Sequence, residues 1–498
     1  MKLVRPDIYC LCIGCLVSTA AACRNDATTH EMVAPAVSNA APDANRPAPL
    51  QDADITRAIQ RHLQEDAVLR SEHVQAAVTE GVAVLGGSVS NILAKERAVD
   101  LVGTLRGVRT IVDQVVVTPV DRSDRQIEAD VKAALRGDVA TRHNTIGVVS
   151  LDRRVTLTGT TESWSQKNLF ADVAKTVPGV TAIDNAVVFH YGSTRPELEI
   201  AADVRSHIAN DVWLDGTSLV VKVNGDRVSL SGVVGSVAQH DLARADAFVS
   251  AVVDVDAGGV TVDWRAFDDQ RRTSTYATRA DADLAQAVRD ALRLDPRLKT
   301  LIPMVAVKSG MATLTGTVDS PKARRAAASD AKNTVGVWSV RNEVLVQMDG
   351  KPTDADIERA VKQALSEDLV LSYAKSIEVT TVNGRVTLKG TIPLGVDRFF
   401  VLADVEEVPG VADVEDNLTV KRLPADIEAS VEDRLFWDPM VERNVVHVAV
   451  APDGITTLTG TVATWSELKA ASNDALAGGA ARVINLLKLN GHPELVVP

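Results

Sequence analysis

Cysteine is confined to the start of the chain: Cys10, Cys12, Cys15 and Cys23 are the only four in 498 residues. Everything after them lacks disulfides, thiolate metal sites and a cysteine nucleophile. Aromatic residues are also scarce, 3% of the chain. Val-rich strands and Ala-rich helices must therefore supply the packing. No segment after residue 22 approaches the ~20 apolar residues that a bilayer span requires. Positive charge is in the minority, with 53 Lys and Arg against 66 Asp and Glu, for a net charge of −13. That argues against whole-surface attraction to nucleic acid or anionic lipid. Also missing are H-E-x-x-H and other metal spacings, G-x-S-x-G, a P-loop and a dinucleotide fingerprint. The expectation is a protein that is not an enzyme. It should have no metal, no cofactor, no nucleic-acid partner and no small-molecule substrate.

What the N-terminus does have is an export pattern. Lys2 and Arg5 form a weak positive region, and Ile8 to Ala22 is apolar or small throughout. This suits a signal peptide over 1–22 better than a spanning helix. Ala20-Ala21-Ala22-Cys23 resembles the lipobox of bacterial lipoproteins, with Ala20 where Leu is usual. The resemblance implies lipidation of Cys23; plain cleavage after Ala22 is the alternative. Arg24, rather than Asp, follows the cysteine and resembles an outer-membrane address. Residues 23–50, rich in Ala, Pro, Asn, Asp and Thr, read as a flexible tether.

The body is repetitive, and the repeat decides the fold. Strand-ending glycines recur as Gly86, Gly159, Gly232, Gly316, Gly390 and Gly460, at intervals of 73, 73, 84, 74 and 70 residues. A helix precedes each, with apolar residues at offsets 0, 4 and 8, as in Ile357/Val361/Leu365. At offset 11 comes an aspartate every time: Asp66, Asp138, Asp211, Asp295, Asp368 and Asp438. Two strands follow the helix, and Asn383-Gly384 between them marks a hairpin. An Ala-rich helix and a last strand complete the unit, as in Ala323 to Thr334 and Val414 to Val420. The predicted fold class is α+β: six tandem αββαβ modules, each a small three-stranded sheet with two helices on one face. The third copy has Val253-Asp254-Val255 where a Gly-Val is expected, which predicts an irregular second helix or last turn.

The pattern resembles the BON domain, named from bacterial osmotically induced periplasmic and nodulation proteins. The matching residues are the I-x3-V-x3-L-x2-D helix from Ile357 to Asp368, the N-G-x-V-T-L-x-G hairpin from Asn383 to Gly390, and the P-G-V-x-x-V-x-D-N-x-x-V ending from Pro409 to Val420. The repeats are placed at 51–120, 121–192, 193–267, 281–349, 350–421 and 422–491, with a linker at 268–280. The resemblance implies an envelope protein that binds phospholipid, maintains the envelope or acts as a periplasmic chaperone. The leading expectation is a non-enzymatic envelope binding or scaffold protein in the periplasm. It would be anchored to the outer membrane through Cys23, with membrane phospholipid or an envelope protein as partner. The alternative is a soluble periplasmic chaperone or osmotic-stress protein. Oligomeric state is left open.

Candidate contact residues lie on the surface, where the copies differ. The fourth copy, 279–349, holds eleven Lys or Arg against eight acids, and the fifth, 351–420, seven against thirteen. Lys322, Arg324 and Arg325 cluster at the start of the fourth copy's second helix and make it the first place to look for anionic lipid. Trp164 and Trp465 share one repeat position, also at the start of a second helix, and tryptophan anchors well at membrane interfaces; a cover over the sheet edge is the structural alternative. The six aspartates read as helix-end caps. Gly232 to Gly235 looks like a G-x-x-G loop, but it follows a strand rather than joining two helices.

Overall fold

The computed structural model describes residues 50–66, 68–192, 195–274, 276–299, 301–347, 352–367, 376–393, 397–420 and 422–496. Residues 1–49, on which the expected signal peptide, Cys23 and nearly all of the expected tether fall, and Asp368 lie outside them. Each module follows the expected order. In module two the first helix is Asp124–Gly137, the hairpin Gly147–Leu151 and Arg154–Thr161, the second helix Trp164–Lys175 and the last strand Ala182–Phe189. The middle strand pairs antiparallel with the first and parallel with the last. Six sheets repeat this topology. Two carry a further strand segment. In module one the last strand is broken into Thr110–Asp113 and Val116–Val117, and in module six His492–Val496 adds antiparallel to Arg482–Leu489.

The apolar stripe of each first helix faces its sheet. Its offset-4 residues Ile59, Val131, Val204, Val288, Val361 and Val431 are completely buried. The aspartates that end these helices are caps: Asp66, Asp138, Asp211, Asp295 and Asp438 each accept the N–H of the residue two further on, at 2.6 to 3.0 Å. A second acidic position, three residues before the stripe, escaped the sequence reading. Asp52, Asp281 and Asp354 each accept two backbone N–H groups from their own hairpin turn, at 2.7 to 3.2 Å. This ties the start of the helix to the turn.

The strand-ending glycines have positive φ from module two onward, 114° to 157°, and a Cβ at Gly460 would lie 1.8 Å from the Val445 carbonyl oxygen. In module one the role passes from Gly86 to Gly87, φ 102°, where a Cβ would meet the His73 carbonyl. Module three is irregular as expected. Ala251 takes the positive φ (76°) held by glycine elsewhere, and the last strand shifts register between Asp256 and Gly259.

The segment expected as a linker, 268–280, begins inside a helix. Residues Trp264–Thr273 form a helix capped by Asp263, with Phe267 and Arg271 buried. Polar composition suggested a loop, but Arg271 is neutralised by Asp268 beside it and by Glu467, 2.6 Å away in module six. Among the described residues no helix is long and apolar enough to cross a membrane.

An asparagine locks each of three last strands to the second helix. Asn185, Asn342 and Asn485 donate Nδ2 to the carbonyls of Lys167, Arg324 and Leu468, at 2.8 to 2.9 Å. The buried Asn485 also accepts the Leu487 N–H at 3.0 Å. Asn485→Ala should destabilise the fold by about 1–3 kcal/mol, because it leaves buried backbone groups without partners. Urea unfolding checks this; an unchanged midpoint would rule out the lock.

Candidate functional site at the module joints

The residues singled out for binding converge on the joints between modules. Lys322 Nζ lies 3.3 Å from Asp138 of module two. Arg324 reaches the Val411 and Ala412 carbonyls of module five at 3.4 Å. Arg325 donates to the Ala403 carbonyl and faces Glu406 and Glu407 at 3.4 and 3.5 Å. The basic excess of module four and the acidic excess of module five thus meet across an interface. The cluster is therefore not a free lipid site.

The tryptophans are joint residues too. Trp164 stacks on Phe248 of module three, with centroids 4.4 Å apart and planes 3° off parallel. Trp465 is 1% exposed. Its backbone N–H donates to Asp215 of module three at 2.6 Å, and its ring meets Tyr276 edge-on at 5.5 Å. A membrane-anchoring role for Trp465 is thereby corrected: no face of the ring is available to lipid. Trp437 of module six is buried in the core of module one, beside Phe436.

Two contact types recur. In the first, the start of one second helix meets the end of another module's first helix. Modules two and four do this reciprocally, through Lys322 with Asp138 and through Ser165 Oγ to the Leu294 carbonyl at 3.2 Å. Modules three and six do it through Trp465 and Asp215, and modules one and five through Arg70 and Asp397 at 3.4 Å. In the second type, the backbone N–H before a turn glycine donates to the carbonyl before a capping aspartate. Val335 donates to Asn210 at 2.8 Å and Arg106 to Trp437 at 2.7 Å, joining modules four to three and one to six. Modules three and six share one continuous hydrophobic core.

The first and last modules are thus closed on each other. Arg61 pairs with Asp433 at 2.7 Å and Arg434 with Glu65 at 3.0 Å. The Arg106 guanidinium bonds the Asp438 and Val441 carbonyls and lies 5.1 Å from the Trp264 ring centre. Burial pushes the Asp438 carboxyl up to about 6. Burial holds the His62 imidazole below its ordinary value, although its 3.3 Å contact with Asp433 favours the charged form.

A polar cleft of about 490 Å³ lies between modules two and four, lined by His143, Gln166, His190 and Glu162 on one side and Arg297 and Lys299 on the other. Its cations already have partners, Lys299 in Glu162 and Arg297 in Asp295. Among the described residues no cluster of three or more His, Cys, Asp or Glu is arranged to hold a metal.

One recurrent residue that ties its module to itself escaped the sequence reading although its signal is there. An arginine stands five residues before the stripe in four modules, and Arg195, Arg279 and Arg422 each clasp a carbonyl beyond the end of their own second helix, those of Ser250, Val335 and Gly478.

The BON domain matches residues 51–119, 123–190, 196–262, 280–348, 353–422 and 425–491. The chain is 26% identical over 145 residues to osmotically-inducible protein Y of Escherichia coli strain K12, covering 27% of this chain and 71% of that one. Solved structures of CdsD, a structural protein of the type III secretion system of Chlamydia trachomatis, align with 15% and 18% identity. They cover 41% and 46% of this chain and 90% and 100% of theirs, with TM-scores of 0.11 and 0.12.

The buried imidazole at the closure gives a signed pH expectation. A group held neutral in the fold contributes stability that is fully present above its unfolded pKa, near 6.5, and is lost as pH falls through its folded value. The wild type should lose more stability between about pH 7.5 and about pH 5.5 than His62→Gln does. Denaturant titrations of both proteins measure the difference; equal losses would remove His62 from the closure.

Proposed function

Because this chain belongs to the BON domain family, we propose that it is a non-enzymatic envelope protein of bacteria that binds or scaffolds envelope components, with phospholipid as the leading ligand class. The observation that carries the reading is the match of six modules across 51–491, packed against one another through recurrent joints. What the modules share is spent on cores, turns and joints, so contacts with partners fall to the outward faces. A body of fixed spacing offers several weak contacts at once, which raises avidity when the partner surface matches that spacing. Export and a lipid tether at Cys23 complete the proposal, supported by the apolar Ile8 to Ala22 segment before it. Osmotic stress enters through the osmotically inducible relative.

Flotation with phospholipid vesicles tests the ligand class, using the full chain as Cys23→Ser so that no acyl chain contributes. Co-flotation with anionic vesicles at low salt, reduced at high salt, is the expected result. Absence from every vesicle fraction at low salt would sink the phospholipid reading and leave the soluble stress-protein reading. Metabolic fatty-acid labelling that disappears in Cys23→Ser would establish the tether.

A further inference from the structure

In a hairpin closed by a two-residue loop, the residues flanking the loop bond each other, so alternate residues of the outer strand turn their N–H and C=O away from the sheet. In module four the loop is Ser309-Gly310 and Lys308 faces Met311. The outward groups of the edge strand Met304–Lys308 are therefore those of Val305 and Val307.

One equivalent group in each of modules one to three is met by the first helix. The Val78 N–H donates to Thr56 Oγ1 at 3.1 Å, the Ser150 N–H bonds Glu128, and the Val221 carbonyl accepts from Arg205 at 3.1 Å. Thr56 and Glu128 stand one residue after the start of the stripe, where module four has Ala285; Arg289, at the place of Arg205, turns to Gln286 instead of the strand. Among the described residues nothing bonds the outward groups of Val305 and Val307. The same edge is apolar from Leu301 to Val307, with Ile302 46% and Met304 68% exposed. An uncapped, apolar edge is a template for another strand; the sheet of module six grows by strand addition at its opposite edge, where His492–Val496 pairs with Arg482–Leu489.

We infer that this edge is a self-association seam: a second copy of the chain adds its own Met304–Lys308 antiparallel, about a two-fold axis at Ala306. This goes beyond the proposed function and does not rest on it. The register is self-complementary. Val305 bonds Val307 of the second copy, Ala306 faces Ala306, and Met304 faces Lys308, whose stem lies against the thioether. Within the paired strands no charge meets its like across the seam. Five residues of strand bury less than a permanent dimer needs, so the dimer is weak and forms reversibly with concentration.

Sedimentation velocity of the full chain as Cys23→Ser, from about 5 to about 500 µM and at about 0.3 M salt to screen the net charge, reads the association. Ala306 is exposed, so Ala306→Lys leaves the fold intact by circular dichroism. It places two ammonium groups at the axis and should weaken the dimer at least tenfold. Mixing Ala306→Lys with Ala306→Glu should restore a heterodimer. Val149→Lys, on the corresponding edge of module two, should dimerise as wild type. A wild-type chain that stays monomeric throughout, a dimer undiminished in Ala306→Lys, or no rescue in the mixture would each overturn the seam.

Discussion

The arrangement turns on Trp437, which belongs to module six but is buried in the core of module one. A body of about 70 residues buries only a modest fraction of its surface and is marginal alone. Here the ends of the helices, where a three-stranded sheet is too narrow to cover them, are covered by a neighbour. At the closure the cover comes from the far end of the chain, so the array is a closed body rather than a rod or a string of independent beads. Stability is shared along with the surface: the core common to modules three and six has no boundary between them.

Charge follows the same logic. Part of the basic excess of module four and of the acidic excess of module five meet each other, where Arg325 faces Glu406 and Glu407, and Lys299 and Lys322 of module four pair with Glu162 and Asp138 of module two. Divergent surface charge in a repeat protein invites a search for an external ligand. In this chain much of it is complementarity between neighbours. Arginine does most of this work by clasping carbonyls, because its planar fork reaches two acceptors while its stem packs on apolar surface.

The module itself was legible in the sequence because its determinants are local and repeated. The 0/4/8 stripe, the capping aspartates, the hairpin turn and the strand-ending glycines are all fixed by residues within a few positions of one another. The joints were not legible, because their partners lie far away: Arg271 and Glu467 are neighbours only after folding, so a buried helix read as a polar linker. Trp164 and Trp465 were rightly noticed as a shared position, but nothing local distinguishes a ring facing lipid from one facing Phe248 or Tyr276. The recurrent arginine before the stripe, by contrast, is written in the sequence at a fixed offset, as Arg122, Arg195, Arg279 and Arg422, outside the apolar pattern that defines the module.

The closure also sets an order of events. His62 and Asp433 are 371 residues apart in the chain yet touch in the folded body. A chain that emerges N-terminus first must therefore present the docking surface of module one bare until nearly all the rest has appeared. At a synthesis rate of about 5–20 residues per second that interval is roughly 20–75 s. Over that time Arg61, His62 and Arg106 have no partner in module six, and the vacancy left for Trp437 is open to any apolar side chain that reaches it first.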